Sequence, residues 1–335
     1  MEPPSPELIF ETFNAYQRTA VLKAAVELDV FTAIGEGCTT SKSLADRCRA
    51  TERGMRILCD YLVTIGFLSK TGGRYGHTPM SALFLDRHSP ACLASTADFL
   101  TSPLLTDNFK DLAAVVRKGG TVLGAEGVVA PEHPVWASFA RSMMPMMVPA
   151  AEAIATLVGA RSGKNWKILD IAAGHGLFGI TIARHNPNAT VVALDWPHVL
   201  EVAEENARAM GVGERYELRP GSAFEVDFGG GYDLVLFTNF FHHFDQATCQ
   251  ELMRKSHRAL QSGGRAVTLE FVPNEDRVSP PMPAAFAMVM LGATAGGDAY
   301  TFAEYQQMFA SAGFLRNELH QLEQSPESVI ISYKE

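Results

Sequence analysis

Two groups of residues carry the chemistry this chain could do. The first is a glycine-rich turn, Asp170-Ile-Ala-Ala-Gly174-His-Gly176-Leu-Phe-Gly179. Glycines let a backbone turn sharply and approach a ligand with no Cβ in the way. Nineteen positions after Gly176 stands Asp195, at the end of an apolar run, where a carboxylate can accept both hydroxyls of an adenosine ribose. Together they specify an adenosine-containing ligand. The second group is His242 and Glu270, which follow and end two later apolar runs. A His placed beyond a strand end can take a proton from a hydroxyl, and a carboxylate on its other ring nitrogen would fix the tautomer and stabilise the imidazolium.

The glycines do not by themselves specify which adenosine ligand is held. Gly174-x-Gly176-x-x-Gly179 also satisfies the dinucleotide fingerprint, a weak match when alone. Three features favour S-adenosylmethionine over NAD. Asp170 lies inside the first strand, where an acid can help hold the ammonium of a methionine tail. The nucleotide half comes second in the chain, after a helical half. The C-terminus offers a strand hairpin where a second mononucleotide unit would be expected for NAD.

The elements that must position these groups follow from periodicity. From residue 166 apolar runs at 167–172, 190–195, 215–220, 233–238 and 265–273 alternate with helical patterns at 177–186, 198–211 and 246–261. This is the grammar of βαβ units: an α/β, Rossmann-like doubly wound sheet with helices on both faces. After an unusually long loop one more helix precedes two strand-like stretches that read as a C-terminal antiparallel hairpin. The first half is helical. Apolar residues from Leu8 to Ile34 fall at helical spacing until Gly35 and Gly37. A cap at Thr39-Thr40-Ser41, a helix through Leu44 and Cys48, a second from Glu52 to Ile65 and two short strands around Gly72-Gly73 then spell a winged helix. The domains expected are a winged-helix-like dimerisation domain over 1–100, a helical linker contributing to a substrate pocket over 101–162, and a cofactor-binding domain over 163–335. A loop at 118–134 interrupts the linker, and Gly159 to Gly163 reads as a hinge.

In motif order and spacing the chain resembles the class I methyltransferases, and within them the O-methyltransferases related to caffeic acid, hydroxyindole and bacterial polyketide O-methyltransferases. The resemblance covers nearly the whole chain. It rests on the glycine turn, on Asp195-Trp-Pro-His-Val199, on Gly221-Ser-Ala-Phe224, on Phe240-Phe-His242-His-Phe244, on the run from Gly263 to Glu270, and on Ala312-Gly-Phe314. It implies an S-adenosylmethionine-dependent O-methyltransferase whose N-terminal half forms a homodimer. His242 would be the general base, Glu270 the acid that orients it. The implied cofactor wall takes in Asp170, Ala172, Gly174 and Gly176 from the first turn, Asp195 and Trp196 from the second strand, then Ser222, Ala223, Phe224, Thr238 and Asn239. Phe139, Met143 and Met147 in the first half, with Phe286 and Met290 in the long loop, would line the substrate pocket. Soft Met and Phe surfaces suit a flat aromatic substrate.

Two departures stand out. Ser222 replaces an Asp near the adenine amino group, and Phe302 stands where the family has a second acid flanking the base. Asp298 and Glu304 are nearby acids that could substitute, though neither is at the matching position. His243, where the family usually has Asp, reads as a residue outside the pocket, because adjacent residues at a helix start cannot both point into it.

Composition bounds the rest. Of 335 residues 47% are apolar and 19% charged, with a net charge of −9, which argues against a nucleic-acid partner. The helix with which winged helices read DNA would here carry only Arg53 and Arg56 as basic residues. Five scattered cysteines show no zinc or disulfide spacing, so no metal site is expected. No secretory leader and no membrane-length apolar run is visible, and a soluble cytoplasmic protein is the expectation. Alternatives left open are a relative that binds S-adenosylmethionine without methylating, an NAD-dependent oxidoreductase, and a winged-helix regulator.

Overall fold

Residues 4–124 and 135–335 are described by the computed structural model. They fall into two units, one ending at Ser102 and the other starting at Pro103.

In the first unit the apolar periodicity that looked continuous from Leu8 to Ile34 is cut in two. Helix α1 (Glu7–Glu27) stops where Asp29 takes a left-handed conformation, φ 59°, and α2 (Val30–Gly35) departs in a new direction. Asp tolerates that region because its short side chain bonds locally. Helices α3 (Ser41–Arg47) and α4 (Glu52–Thr64) start at Thr40 and Thr51, whose hydroxyls accept the N–H groups of Ser43 and Gly54. Strands β1 (Leu68–Thr71) and β2 (Arg74–His77) form the wing. Met55, Cys59 and Leu62 of α4 pack with Phe31, Leu44 and Tyr75 into a core, so the second winged-helix helix spends its apolar face inward. Arg56 is tied to Asp60 at 3.0 Å. Two short helices, α5 (Pro79–Phe84) and α6 (Thr96–Leu100), are too brief to show a period in the sequence. Along α1 only Ala25 and Val26 are buried, while Leu8, Phe10, Phe13 and Tyr16 are 73%, 61%, 73% and 68% exposed within the chain. So much uncovered apolar surface marks an interaction face.

The second unit begins with α7 (Pro103–Thr106), α8 (Leu112–Lys118) and the long α9 (Val135–Leu157). Part of the expected loop at 118–134 lies outside the described residues. After α9, Gly159 and Gly163 both adopt left-handed conformations around one 3₁₀ turn. Then β3 (Lys167–Ile171), α10 (Leu177–His185), β4 (Thr190–Asp195), α11 (Pro197–Ala209), β5 (Tyr216–Pro220), β6 (Tyr232–Thr238), α12 (Gln246–Ala259) and β7 (Leu260–Glu270) alternate as expected, with β7 starting earlier than the sequence implied. The sheet order is β5-β4-β3-β6-β7-β9-β8, with β3 to β7 parallel and the closing strands β8 (Arg316–Gln321) and β9 (Ser328–Tyr333) antiparallel to each other. Strand β9 runs antiparallel against β7, so an antiparallel strand stands where a dinucleotide fold would place the last parallel strand of its second mononucleotide unit. The chain moves outward from β3 to β5 and returns to β6 on the other side of β3. That reversal opens a crevice at the carboxyl ends of the strands.

One correction falls in the stretch read as a long loop. Residues Pro281–Ala293 form helix α13, followed by α14 (Phe302–Ser311). The prolines that suggested a loop sit at the helix start, where the missing N–H groups are not needed. The run after them is apolar all round, so it shows no helical stripe. Among the described residues no helix is long and apolar enough to cross a membrane.

The glycine turn has little room. Gly176 caps α10 at φ 72°, and a Cβ there would collide with the Tyr216 hydroxyl and meet Ala203 and Ile180 at 3.1 Å. Gly176→Ala is therefore expected to cost about 1–3 kcal/mol and to lower the thermal midpoint by several degrees; an unchanged melting curve would contradict this reading of the turn.

Candidate active site

Every segment leaving the carboxyl ends of β3 to β6 contributes to one cavity. The turn after β3 supplies Ala172 and Gly174, the end of β4 Asp195 and Trp196, the loop after β5 Ser222, Ala223 and Phe224, and the segment after β6 Thr238, Asn239, Phe240, His243 and Phe244. Trp136 and Phe139 of α9 complete the wall. Ala172 and Asn239 hold left-handed backbone conformations, φ 52° and 55°, at its edge. Strain of this sort collects where a chain must turn tightly around a ligand.

Asp195 is fixed by the backbone. Its Oδ2 accepts the Gly174 N–H at 2.8 Å and its Oδ1 the Trp196 N–H at 2.7 Å. Each oxygen keeps a lone pair for a second donor, which is what a ribose diol requires. Burial pushes this carboxyl up to about 6, against the two N–H donors that lower it, so it is ionised at neutral pH. Phe224, Phe240 and Phe244 pack edge to face with centroids 5.1–5.2 Å apart, apolar rings suited to a flat base. Ser222 Oγ accepts the Phe224 N–H at 3.2 Å, which braces that loop. The residues present thus fit an adenosine ligand.

Two residues expected on this wall lie behind it. Gly176 turns the chain into α10. Asp170 is fully buried, and its Oδ2 accepts the Gly179 N–H at 3.1 Å while Oδ1 has no partner among the described residues. Burial pushes the Asp170 carboxyl up to about 8. It braces the turn from beneath.

The second group assembles around Glu270 at the end of β7. Its Oε1 accepts the N–H groups of Phe240, Phe241 and His242 at 2.9, 2.8 and 3.3 Å, and its Oε2 lies 2.6 Å from His242 Nδ1. Glu270 is fully buried and His242 is 5% exposed. A carboxylate accepting at both oxygens places the imidazole proton on Nδ1 and leaves the Nε2 lone pair available. Phe286 of α13 stands edge-on to the His242 ring at 4.9 Å and stacks on Phe271 at 4.0 Å. Of the expected pocket residues, Phe139 is on the cavity wall and Phe286 covers His242. Met143, Met147 and Met290 are buried and do not line this cavity themselves, and Met147 Sδ, directly behind the wall, accepts from Asn239 Nδ2 at 3.7 Å.

Two findings were not anticipated. His243 is on the cavity wall, edge to face with Trp136 at 5.3 Å, rather than outside the pocket. The segment Phe241–His243 is a single 3₁₀ turn, tighter than the helix start assumed, and puts the His243 ring on this wall with the His242 ring 4.2 Å behind it towards Glu270. The other finding is Glu327, just before β9, 4% exposed, with Oε2 accepting the Ser325 hydroxyl at 2.9 Å. Burial raises its carboxyl, the Ser325 and Asn239 side chains oppose this, and Glu270 and His242 are near enough to act on it. Asp298 and Glu304 are instead tied up with Arg277 at 3.4 and 2.6 Å, and Glu304 caps α14. A buried acid near His242 is thus Glu327, from a chain segment remote from the position the motif pointed to. No local pattern marks it: its neighbours are Pro326 and Ser328 in a turn.

The comparisons with known proteins agree with this geometry. A family model described as an O-methyltransferase domain matches residues 109–315, and one described as an O-methyltransferase dimerisation domain matches residues 10–87. A curated relative, the 3-hydroxy-5-methyl-1-naphthoate 3-O-methyltransferase of Streptomyces sahachiroi, is 26% identical over 92% of this chain and 89% of its own. A solved structure of a candidate O-methyltransferase from Nostoc punctiforme is 54% identical, covers 99% of this chain and 100% of its own, and superposes with a TM-score of 0.95. Human N-acetylserotonin methyltransferase, solved with S-adenosylmethionine, shares the fold at 21% identity, with a TM-score of 0.84 over 99% of this chain and 98% of its own.

The Asp195 environment sets a pH dependence. Below about 6 the carboxyl gains a proton and loses one of its free acceptor positions. Affinity for S-adenosylhomocysteine is expected to drop roughly tenfold between about pH 7.5 and pH 5, measured by calorimetry. Asp195→Asn should bind weakly across that range with no inflection; an inflection of the same size in the variant would assign the titration to another group.

Proposed function

The chain belongs to the O-methyltransferase family and takes its methyl group from S-adenosylmethionine, and we propose that it methylates a hydroxyl of a small aromatic substrate with His242 as general base. The observation that carries this reading is the buried His242–Glu270 pair beside a cavity built for adenosine. Asp195 would hold the ribose, the Ser222–Phe224 loop and Phe244 the adenine, and the Gly174 turn the amino-acid tail. The bound cofactor supplies a methyl on a sulfonium, open to in-line attack by an oxygen held about 3 Å away.

A phenolic hydroxyl, with a pKa of about 10, is mostly protonated at neutral pH and a poor nucleophile. His242 Nε2 would take that proton as the oxygen bonds to carbon. Glu270, held by three N–H groups, would keep the ring in the tautomer that leaves Nε2 free and stabilise the imidazolium formed. Phe286 and the other rings around the pair exclude water and favour a flat, apolar substrate. The naphthoate substrate in the Streptomyces relative's name is aromatic too.

We also propose that the protein acts as a homodimer, on the strength of the matched dimerisation domain and the uncovered apolar row on α1. Phe10→Glu with Phe13→Glu should shift the sedimenting species from dimer to monomer. A dimer that survives both changes would place the interface elsewhere.

For the chemistry, radiolabelled methyl transfer to a panel of phenols is the test. His242→Ala is expected to lose 10²–10⁴-fold in kcat while binding S-adenosylhomocysteine within about twofold of wild type. Full activity in that variant would remove His242 from its assigned role.

A further inference from the structure

Lys255 reads in the sequence as one more charge on α12, four residues after Glu251. A Glu followed by a Lys at that spacing can pair across one helical turn. Here the ammonium turns instead to the loop after β5. Its Nζ donates to the carbonyl oxygens of Ala223 and Phe224 at 2.8 and 3.3 Å, and it lies 4.2 Å from the centroid of the buried Phe228 ring. Charge-assisted hydrogen bonds of this kind are roughly twice as strong as neutral ones, and the ring face adds to them.

The loop has little else to hold it. Its other hydrogen bonds close within the segment: the Glu225 and Val226 N–H groups donate to Ser222 O at 3.1 and 2.9 Å, and the Phe224 N–H donates to Ser222 Oγ. Among the described residues, Lys255 is the one hydrogen-bond donor to residues 222–226 that comes from another element. Packing does not fix the Phe224 ring either. It is 46% exposed and lines two cavities at once, the one that borders Asp195 and a cleft over α12 lined by Leu252, Arg254, Lys255 and Arg258. The wall is one residue thick at this point. Phe244 meets the ring edge to face, and the peptide on either side of it is tied to the body of the domain through one ammonium.

We propose that Lys255 is a positioning residue for the cofactor: its ammonium holds the Ser222–Phe224 loop against the cavity and so sets the affinity for S-adenosylmethionine without touching it. This deepens the proposed function and rests on its placement of the adenine at that loop. A methionine in place of Lys255 keeps the aliphatic stem but leaves two carbonyls without their donor, and the loop is then free to swing into the cleft behind it.

The test measures binding of S-adenosylhomocysteine by calorimetry, and hydrogen exchange of the unliganded protein by mass spectrometry. Lys255→Met should bind about tenfold more weakly than wild type. Amides of residues 221–228 should exchange faster in that variant while those of β3 and β6 keep their wild-type rates. Lys255→Arg, which keeps charged donors, should recover most of the affinity. Unchanged affinity in Lys255→Met overturns the proposal, and so does faster exchange spread over the whole sheet, which would make the residue a general stabiliser. Phe224→Ala separates this from failure of the adenine placement. If it weakens binding while Lys255→Met does not, the adenine placement stands and only the role of Lys255 is lost; if neither variant weakens binding, both are lost.

Discussion

A carboxylate with no solvent contact has to be satisfied by protein alone, and in this chain Glu270 is that group. Isolated in an apolar interior its charge would cost several kcal/mol; removing the partners of such a group is correspondingly destabilising. Three successive backbone N–H groups and one imidazole nitrogen meet it. That requirement shapes what surrounds it. The chain after β6 must curl into a 3₁₀ turn so that Phe240, Phe241 and His242 all aim their N–H groups at one oxygen. The turn then fixes the position of His242, brings His243 to the cavity wall and sets Phe240 and Phe244 against Phe224. One buried charge thus orders both the proton-handling side of the site and the aromatic side.

The other acids around the site differ by environment more than by distance. Asp195 borders the cavity, is held by two N–H groups and stays ionised at neutral pH. Asp170, one strand away and fully enclosed with a single N–H donor, is pushed towards the neutral form and serves the backbone of the glycine turn. Glu327 is buried, accepts one hydroxyl, from Ser325, and is pushed towards the neutral form by that burial. The donors each carboxyl meets, and whether it borders the cavity, therefore separate Asp195, Asp170, Glu270 and Glu327. Their residue types alone are interchangeable.

The N-terminal unit shows the same economy in another form. A winged helix buries the apolar face of its second long helix, and in α4 the few basic side chains are paired or sparse. What remains uncovered is not a charged face but the apolar row of α1. A scaffold that elsewhere meets phosphates is here arranged to meet hydrocarbon.

Short-range pattern was sufficient for much of this. Alternation of apolar runs marks the strands to within a few residues, glycines at 174, 176 and 179 mark the turn, and Asp195, His242 and Glu270 stand at strand ends because ligand crevices in such sheets open there. Those features are local in the chain or follow from a topological rule. Other features depended on which distant segments meet. Helix α13 was hidden because an all-apolar helix has no stripe to read. Asp170 was expected on the wall, but its strand faces it inward under Gly179. Met143, Met147 and Met290 suit a pocket lining by type, and only packing decides that they are buried behind the cavity wall. His243 reached the cavity because a 3₁₀ turn is tighter than the helix the sequence implied, and Glu327 reached the neighbourhood of the base because β9 is inserted beside β7. Residue type and spacing determine what chemistry is available. The crossing of strands and the tightness of one turn decide which side chains face it, because those depend on contacts between residues far apart in the chain.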